Sequence, residues 1–125
     1  MILKCLIVDD EPLAHQLLEN YIGKLSFLEK IGNAYNAVEA LSIIRSQNPD
    51  LVFLDINMPD VDGWAFLEKF KKINELIKFE VKIFILSSSI NPEDVEKAKN
   101  NNFVTNYFAK PLMMDGIIAI KEMYS

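Results

Sequence analysis

The chain has 125 residues, 50% of them hydrophobic and 25% charged, with 13 Lys and Arg against 18 Asp and Glu and a formal net charge of −5. A chain of this length buries about two-thirds of its unfolded surface in one domain, so neither disulfides nor a structural metal are needed, and a single Cys could form no internal bridge. The acidic balance counts against broad nucleic-acid binding, two aspartates stop the apolar start MILKCLIVDD far short of a membrane span, and a lone thiol without a secretory signal fits the cytoplasm.

Apolar runs alternate with amphipathic stretches, and no repeat or linker divides them, so residues 1–125 read as one domain. Ile2–Val8 predicts a strand, with Cys5 a small buried hydrophobe. Pro12 opens a helix where its missing N–H costs nothing, and Leu13, Leu17, Leu18, Tyr21, Ile22 and Leu25 follow at helical spacing. His15 is assigned to the exposed or half-exposed face of that helix, as a surface residue rather than a phosphoryl carrier. Leu28–Tyr35 is a weaker strand. Asn36 caps the next helix, with Glu39 three residues on and Val38, Leu41 and Ile44 as its apolar stripe.

Leu51–Leu54 is a short continuous strand, followed by a helix from Gly63 that carries Trp64, Leu67 and Phe70. Val81–Leu86 comes next, and Asn91-Pro92-Glu93-Asp94 supplies a cap, a first-turn proline and two acids suited to a helix start. That helix has only Val95 and Ala98 for core contacts. Val104–Phe108 is the last strand, and a helix from Leu112 to Tyr124 presents Ile117, Ile118, Ile120 and Met123, with Met113 and Met114 also assigned to packing. Gly116 weakens its first turns by about 1 kcal/mol relative to Ala.

Strict alternation of five strands and five helices predicts a doubly wound α/β fold: a parallel sheet with helices on both faces. Such folds bind ligands at the carboxyl ends of their strands. The chemistry-bearing residues stand there: Asp9-Asp10 after the first run, Asp55 after the third, Ser87-Ser88-Ser89 after the fourth and Lys110-Pro111 after the fifth. Three adjacent carboxylates repel unless a cation sits among them, and hard oxygen donors favour Mg²⁺. A carboxylate beside Mg²⁺ and a Lys is a competent nucleophile toward phosphorus, and the Ser87 hydroxyl can donate to a phosphoryl oxygen. The residues point to magnesium-assisted aspartyl phosphorylation.

LIVDDEP at 6–12, LVFLDINMPDVDG at 51–63, IFILSSS at 83–89 and YFAKP at 107–111 resemble the receiver domains of two-component response regulators, over the whole chain. Each motif alone is common; four in this order and spacing are specific. The resemblance implies the flavodoxin-like strand order 2-1-3-4-5. It implies Asp55 as phosphoacceptor, with Asp9, Asp10, Asp55 and the backbone carbonyl of Asn57 around Mg²⁺. Lys110 would pair with the acceptor and then with the phosphoryl group, Ser87 would be the switch hydroxyl, and Tyr107 the aromatic that turns inward with it. The donor would be a sensor histidine kinase or a histidine phosphotransfer protein. The output would pass through the face made by helix four, strand five and helix five to a protein target, with no direct nucleic-acid or membrane contact.

By the same resemblance the chain would catalyse only its own phosphorylation and dephosphorylation, in the cytoplasm, as a monomer or a phosphorylation-dependent dimer. Ser at 87 in place of the commoner Thr, a long Lys71–Glu80 connection and Asn100-Asn101-Asn102 depart from the usual pattern without removing a catalytic group. A fragment of a longer DNA-binding regulator and an unphosphorylated pseudo-receiver both stay open. A haloacid-dehalogenase-like phosphatase lacks its second acid, since position 57 is Asn. An FMN carrier is disfavoured by Asp9-Asp10-Glu11, which would repel its phosphate.

Overall fold

A computed structural model describes residues 2–56, 63–75, 80–87, 92–110 and 112–124. The elements run β1 (Leu3–Val8), α1 (Pro12–Ile22), β2 (Leu28–Ala34), α2 (Ala37–Gln47), β3 (Leu51–Asp55), α3 (Gly63–Asn74), β4 (Lys82–Ser87), α4 (Pro92–Asn100), β5 (Val104–Ala109) and α5 (Met114–Met123). All strand pairs are parallel, and the sheet order is β2-β1-β3-β4-β5. This is the doubly wound, flavodoxin-like arrangement expected from the alternation and the resemblance.

The continuous apolar runs are explained by two cores, one on each side of the sheet. Leu6, Val8, Val52, Leu54, Ile83 and Ile85 face α2, α3 and α4, whereas Cys5, Ile7, Leu51, Phe53, Phe84 and Leu86 face α1 and α5. Both edge strands carry a register irregularity, β2 opposite Cys5/Leu6 and β5 opposite Ile83/Phe84. Such irregularities discourage edge-to-edge pairing.

Several helix faces differ from the apolar stripes read from sequence. On α2 the buried residues are Ala37, Ala40 and Ile44, while Val38 is exposed. Small side chains let α2 approach closely: a Cβ at Gly32 on β2 would come within 3.3 Å of Ile43. On α1, Leu13 and Leu17 are exposed and Leu25 lies beyond the helix. On α5, Ile117 and Ile120 are buried, but Met113, Met114, Ile118 and Met123 are exposed. Asn36 caps α2 as expected, its Oδ1 accepting from the Glu39 N–H at 2.9 Å. Glu39 reaches back to the N–H of Tyr35, one residue further than the usual reciprocal box.

Candidate functional site

The carboxyl ends of β1, β3, β4 and β5 meet at one edge of the sheet. Asp9 directly follows β1, and its N–H continues the ladder by donating to Ala34 O at 3.0 Å. Asp55 is the last residue of β3, and Ser87 the last of β4. Lys110 follows β5, its N–H donating to the Ser87 carbonyl at 2.7 Å. Lysine and serine therefore stand on adjacent strand ends joined by a main-chain bond.

Asp9, Asp10 and Asp55 each bring a carboxylate oxygen into a cluster in which these atoms lie within 4.8 Å of one another. At that separation two full charges repel by about 3 kcal/mol for an effective dielectric constant of about 20. Asp9 and Asp55 are buried and Asp10 half-buried. Lys110 Nζ lies 2.6 Å from Asp9 Oδ2 and 3.6 Å from Asp55 Oδ2, so the ammonium bridges two of the three acids and sits closer to Asp9. Burial disfavours its charge, but the hydrogen bond to Asp9 and the charges of Asp55, Asp9 and Glu11 outweigh that and hold its pKa above the ordinary value.

Among the described residues of the cluster, three carboxylates stand against one ammonium, a surplus of two negative charges. The Asp10 Oδ1 oxygen is buried without a hydrogen-bond partner among the described residues. An orphaned carboxylate oxygen within a hard-oxygen donor set fits a divalent cation such as Mg²⁺. Asp9 is tightly oriented, since its Oδ1 accepts from the Glu11 N–H at 3.0 Å. A cavity of about 360 Å³ opens beside the acids, with Asp9, Asp55 and Lys110 at its polar end and Leu13, Leu17 and Tyr21 along its apolar side.

Of the residues singled out from sequence, Asp9, Asp10, Asp55 and Lys110 are brought together. Ser87 is fully buried on the adjoining strand end, and Tyr107 is half-buried against the core on the α2–α4 side. Asn57, Met58, Pro59, Ser88, Ser89, Asn91 and Pro111 lie outside the described residues.

The placement of His15 on an exposed face is incorrect. Its side chain is 2% exposed, its Nε2 donates to the Asp9 carbonyl at 2.8 Å, and its Nδ1 lies 2.7 Å from Asn33 Nδ2. The missed signal was the spacing of His15, Leu18 and Ile22, which is the buried stripe of α1.

The sequence pattern of the response regulator receiver domain matches residues 5–122. The chain is 27% identical over 121 residues to the probable C4-dicarboxylate response regulator DctR of Bacillus subtilis (strain 168), covering 97% of this chain and 51% of that protein. It is 44% identical over 61 residues to the transcriptional regulatory protein BtsR of Escherichia coli (strain K12), covering 49% of this chain and 26% of that one. It thus spans about half the length of the first relative and about a quarter of the second. A solved two component response regulator from Cytophaga hutchinsonii superposes with a TM-score of 0.90 at 25% identity, covering 98% of this chain and 97% of that one.

Proposed function

The chain belongs to the response regulator receiver domain family of two-component systems, and on that premise we propose that it is a phosphorylation-activated switch whose phosphoacceptor is Asp55. The supporting observation is the convergence of the Asp9, Asp10 and Asp55 oxygens with Lys110 ion-paired to two of these acids. Phosphorylation on Asp is general for the family, and the donor is a histidine kinase or a histidine phosphotransfer protein.

An Asp55 oxygen forms a bond to phosphorus as the donor's phosphorus–nitrogen bond breaks, and the leaving imidazole recovers a proton from solvent. Asp9, Asp10, Asp55 and the Asn57 carbonyl would hold Mg²⁺. The ion supplies neutralisation of the phosphoryl oxygens. Lys110 turns from the carboxylate to the phosphoryl group, and Ser87 donates its hydroxyl hydrogen to a phosphoryl oxygen. Tyr107 follows that displacement inward. In dephosphorylation, water attacks phosphorus, the bond to Asp55 breaks with its electron pair returning to the carboxylate, and inorganic phosphate leaves with the water's oxygen as its proton passes to solvent or phosphate.

Output passes through α4, β5 and α5 to a protein partner. The slight anchoring of α4, which buries only Ala98, favours that face as the part that responds. The relatives' lengths support a second setting for the same switch, in which it controls an attached transcription-regulating part.

The test is incubation with Mg²⁺ and a small phosphodonor. We expect one hydroxylamine-labile phosphate per chain, abolished by Asp55→Asn. Undiminished labelling of that variant would overturn the assignment.

A further inference from the structure

We propose that His15 is a positioning residue for the phosphorylation site, holding the Asp9 main chain, and with it the Asp9 carboxylate, through an Nε2–H hydrogen bond whose tautomer Asn33 fixes. The inference rests on the function proposed for the Asp9–Asp10–Asp55 cluster.

A chain of polar contacts runs from the β2 edge to that cluster. Lys30 is ion-paired with Glu19, and the Asn33 amide donates to Glu19 Oε1 at 2.9 Å. The hydrogen bonds from Lys30 and Asn33 hold the Glu19 carboxyl below its ordinary pKa, which keeps it an acceptor. A carboxylate can only accept, so the Asn33 nitrogen must be the atom facing it. The same nitrogen lies 2.7 Å from His15 Nδ1. An amide nitrogen can only donate, so Nδ1 accepts and the ring proton sits on Nε2. Nε2 is the atom that meets the Asp9 carbonyl at 2.8 Å. The Tyr35 ring, 4.3 Å from the imidazole by centroids, covers it from one side.

Asp9 is consequently fixed on every polar atom. Its N–H bonds to Ala34 O, its carbonyl to His15, its Oδ1 to the Glu11 N–H and its Oδ2 to Lys110. Lys110 alone among these partners sits on a flexible stem. Without the His15 donor, the carbonyl of a residue only 3% exposed has no other hydrogen-bond partner among the described residues, and the peptide is expected to rotate to find one. That rotation turns the side chain carried by the same Cα. Partners of this indirect kind commonly change metal affinity by about 10- to 100-fold.

The test titrates the full chain with Mg²⁺ alone, alongside the thermal midpoint of each variant. His15→Leu removes the donor, His15→Gln supplies an amide N–H in its place, and Ile22→Val perturbs the same helix face away from Asp9. Ile22→Val is expected to bind Mg²⁺ like the wild type, His15→Leu about tenfold more weakly, and His15→Gln closer to the wild type than to His15→Leu. Nitrogen-15 spectra of the ring are expected to place a slowly exchanging proton on Nε2. Wild-type affinity in His15→Leu, failure of His15→Gln to recover it, or a proton on Nδ1 would overturn the proposal. Should His15→Leu not fold, Asn33→Leu replaces it. That variant unlocks the tautomer and is expected to lose affinity in the same direction, and unchanged binding would count against the proposal. A wild type that binds no Mg²⁺ overturns the site reading and this one together, whereas a wild type that binds and labels on Asp55 isolates the result to His15.

Discussion

The sheet has two edge strands, and they are secured by different means. At the β2 edge, Lys30, Glu19, Asn33 and His15 form a continuous run of directional hydrogen bonds that ends on Asp9, and Asn36 caps the following helix. At the β5 edge, no residue of the strand is fully buried, and α4 buries only Ala98. Beyond the main-chain ladder to β4, the contacts that join that region to the rest include several made by aromatic rings. Phe103 meets Phe70 edge-on at 5.6 Å, and Trp64 is flanked by Asp94 at 3.4 Å and by Lys97 at 5.5 Å from its ring centroid. Directional bonds have one good geometry, whereas ring and apolar contacts survive sliding. Asp9 at the end of β1 is therefore held by directional bonds, whereas α4 on the opposite side is anchored by a single buried residue, Ala98.

The largest effect that could break this comparison is in the core. Phe84 on β4 is fully buried, whereas Phe103 is only partly so. We expect Phe84→Ala to cost about 3–5 kcal/mol in chemical denaturation and Phe103→Ala less than half as much. Equal losses would show that the β5 side is packed as firmly as the centre.

A second, intermediate effect lies on the alkaline side. Burial pushes the Cys5 thiol up from 9.0 to about 12, opposed only in part by the charge of Lys30 on β2. A folded pKa above the unfolded one gives stability that is complete below pH 9.0 and is lost as pH rises toward about 12. Lys110, also raised, adds a loss in the same direction beginning above 10.5. In denaturation series across that range, Cys5→Ala should show a slope shallower by up to about 1.4 kcal/mol per pH unit, the value of one proton. An unchanged slope would mean that β1 opens to solvent before the molecule unfolds.

The smallest test sets one polar contact against another. Removing the Asn36 cap with Ala should cost about 1 kcal/mol. Asp94→Ala, which breaks the long contact to Trp64, should cost about 0.5 kcal/mol or less. A reversal of that order would transfer the firmer edge to the α4 side.

How much of this was legible in the sequence follows from what each residue reports. Asp9, Asp10, Asp55, Ser87 and Lys110 could be found because strand ends are marked by where apolar runs stop, and a parallel sheet brings those ends together. The cores of the helices were less legible. Val38 and Leu17 are apolar yet exposed, while Ala37 and Ala40 are buried because α2 needs small residues to approach the sheet. His15 escaped because a scan for apolar periodicity passes over a polar residue at the head of a buried stripe. Its partner Asn33 stands eighteen residues away on another element. Local pattern marks the buried strands well, the buried faces of helices less well, and polar pairing across elements hardly at all.

The chain has a single tryptophan, and it is Trp64, at the start of α3 and in contact with α4. Its tryptophan emission therefore comes from one seam of the molecule, with a carboxylate on the indole nitrogen and an ammonium over the ring. Any event that shifts α4 changes the surroundings of that ring, and with them the colour or intensity of that light. The protein carries its own optical gauge of movement at the seam between α3 and α4.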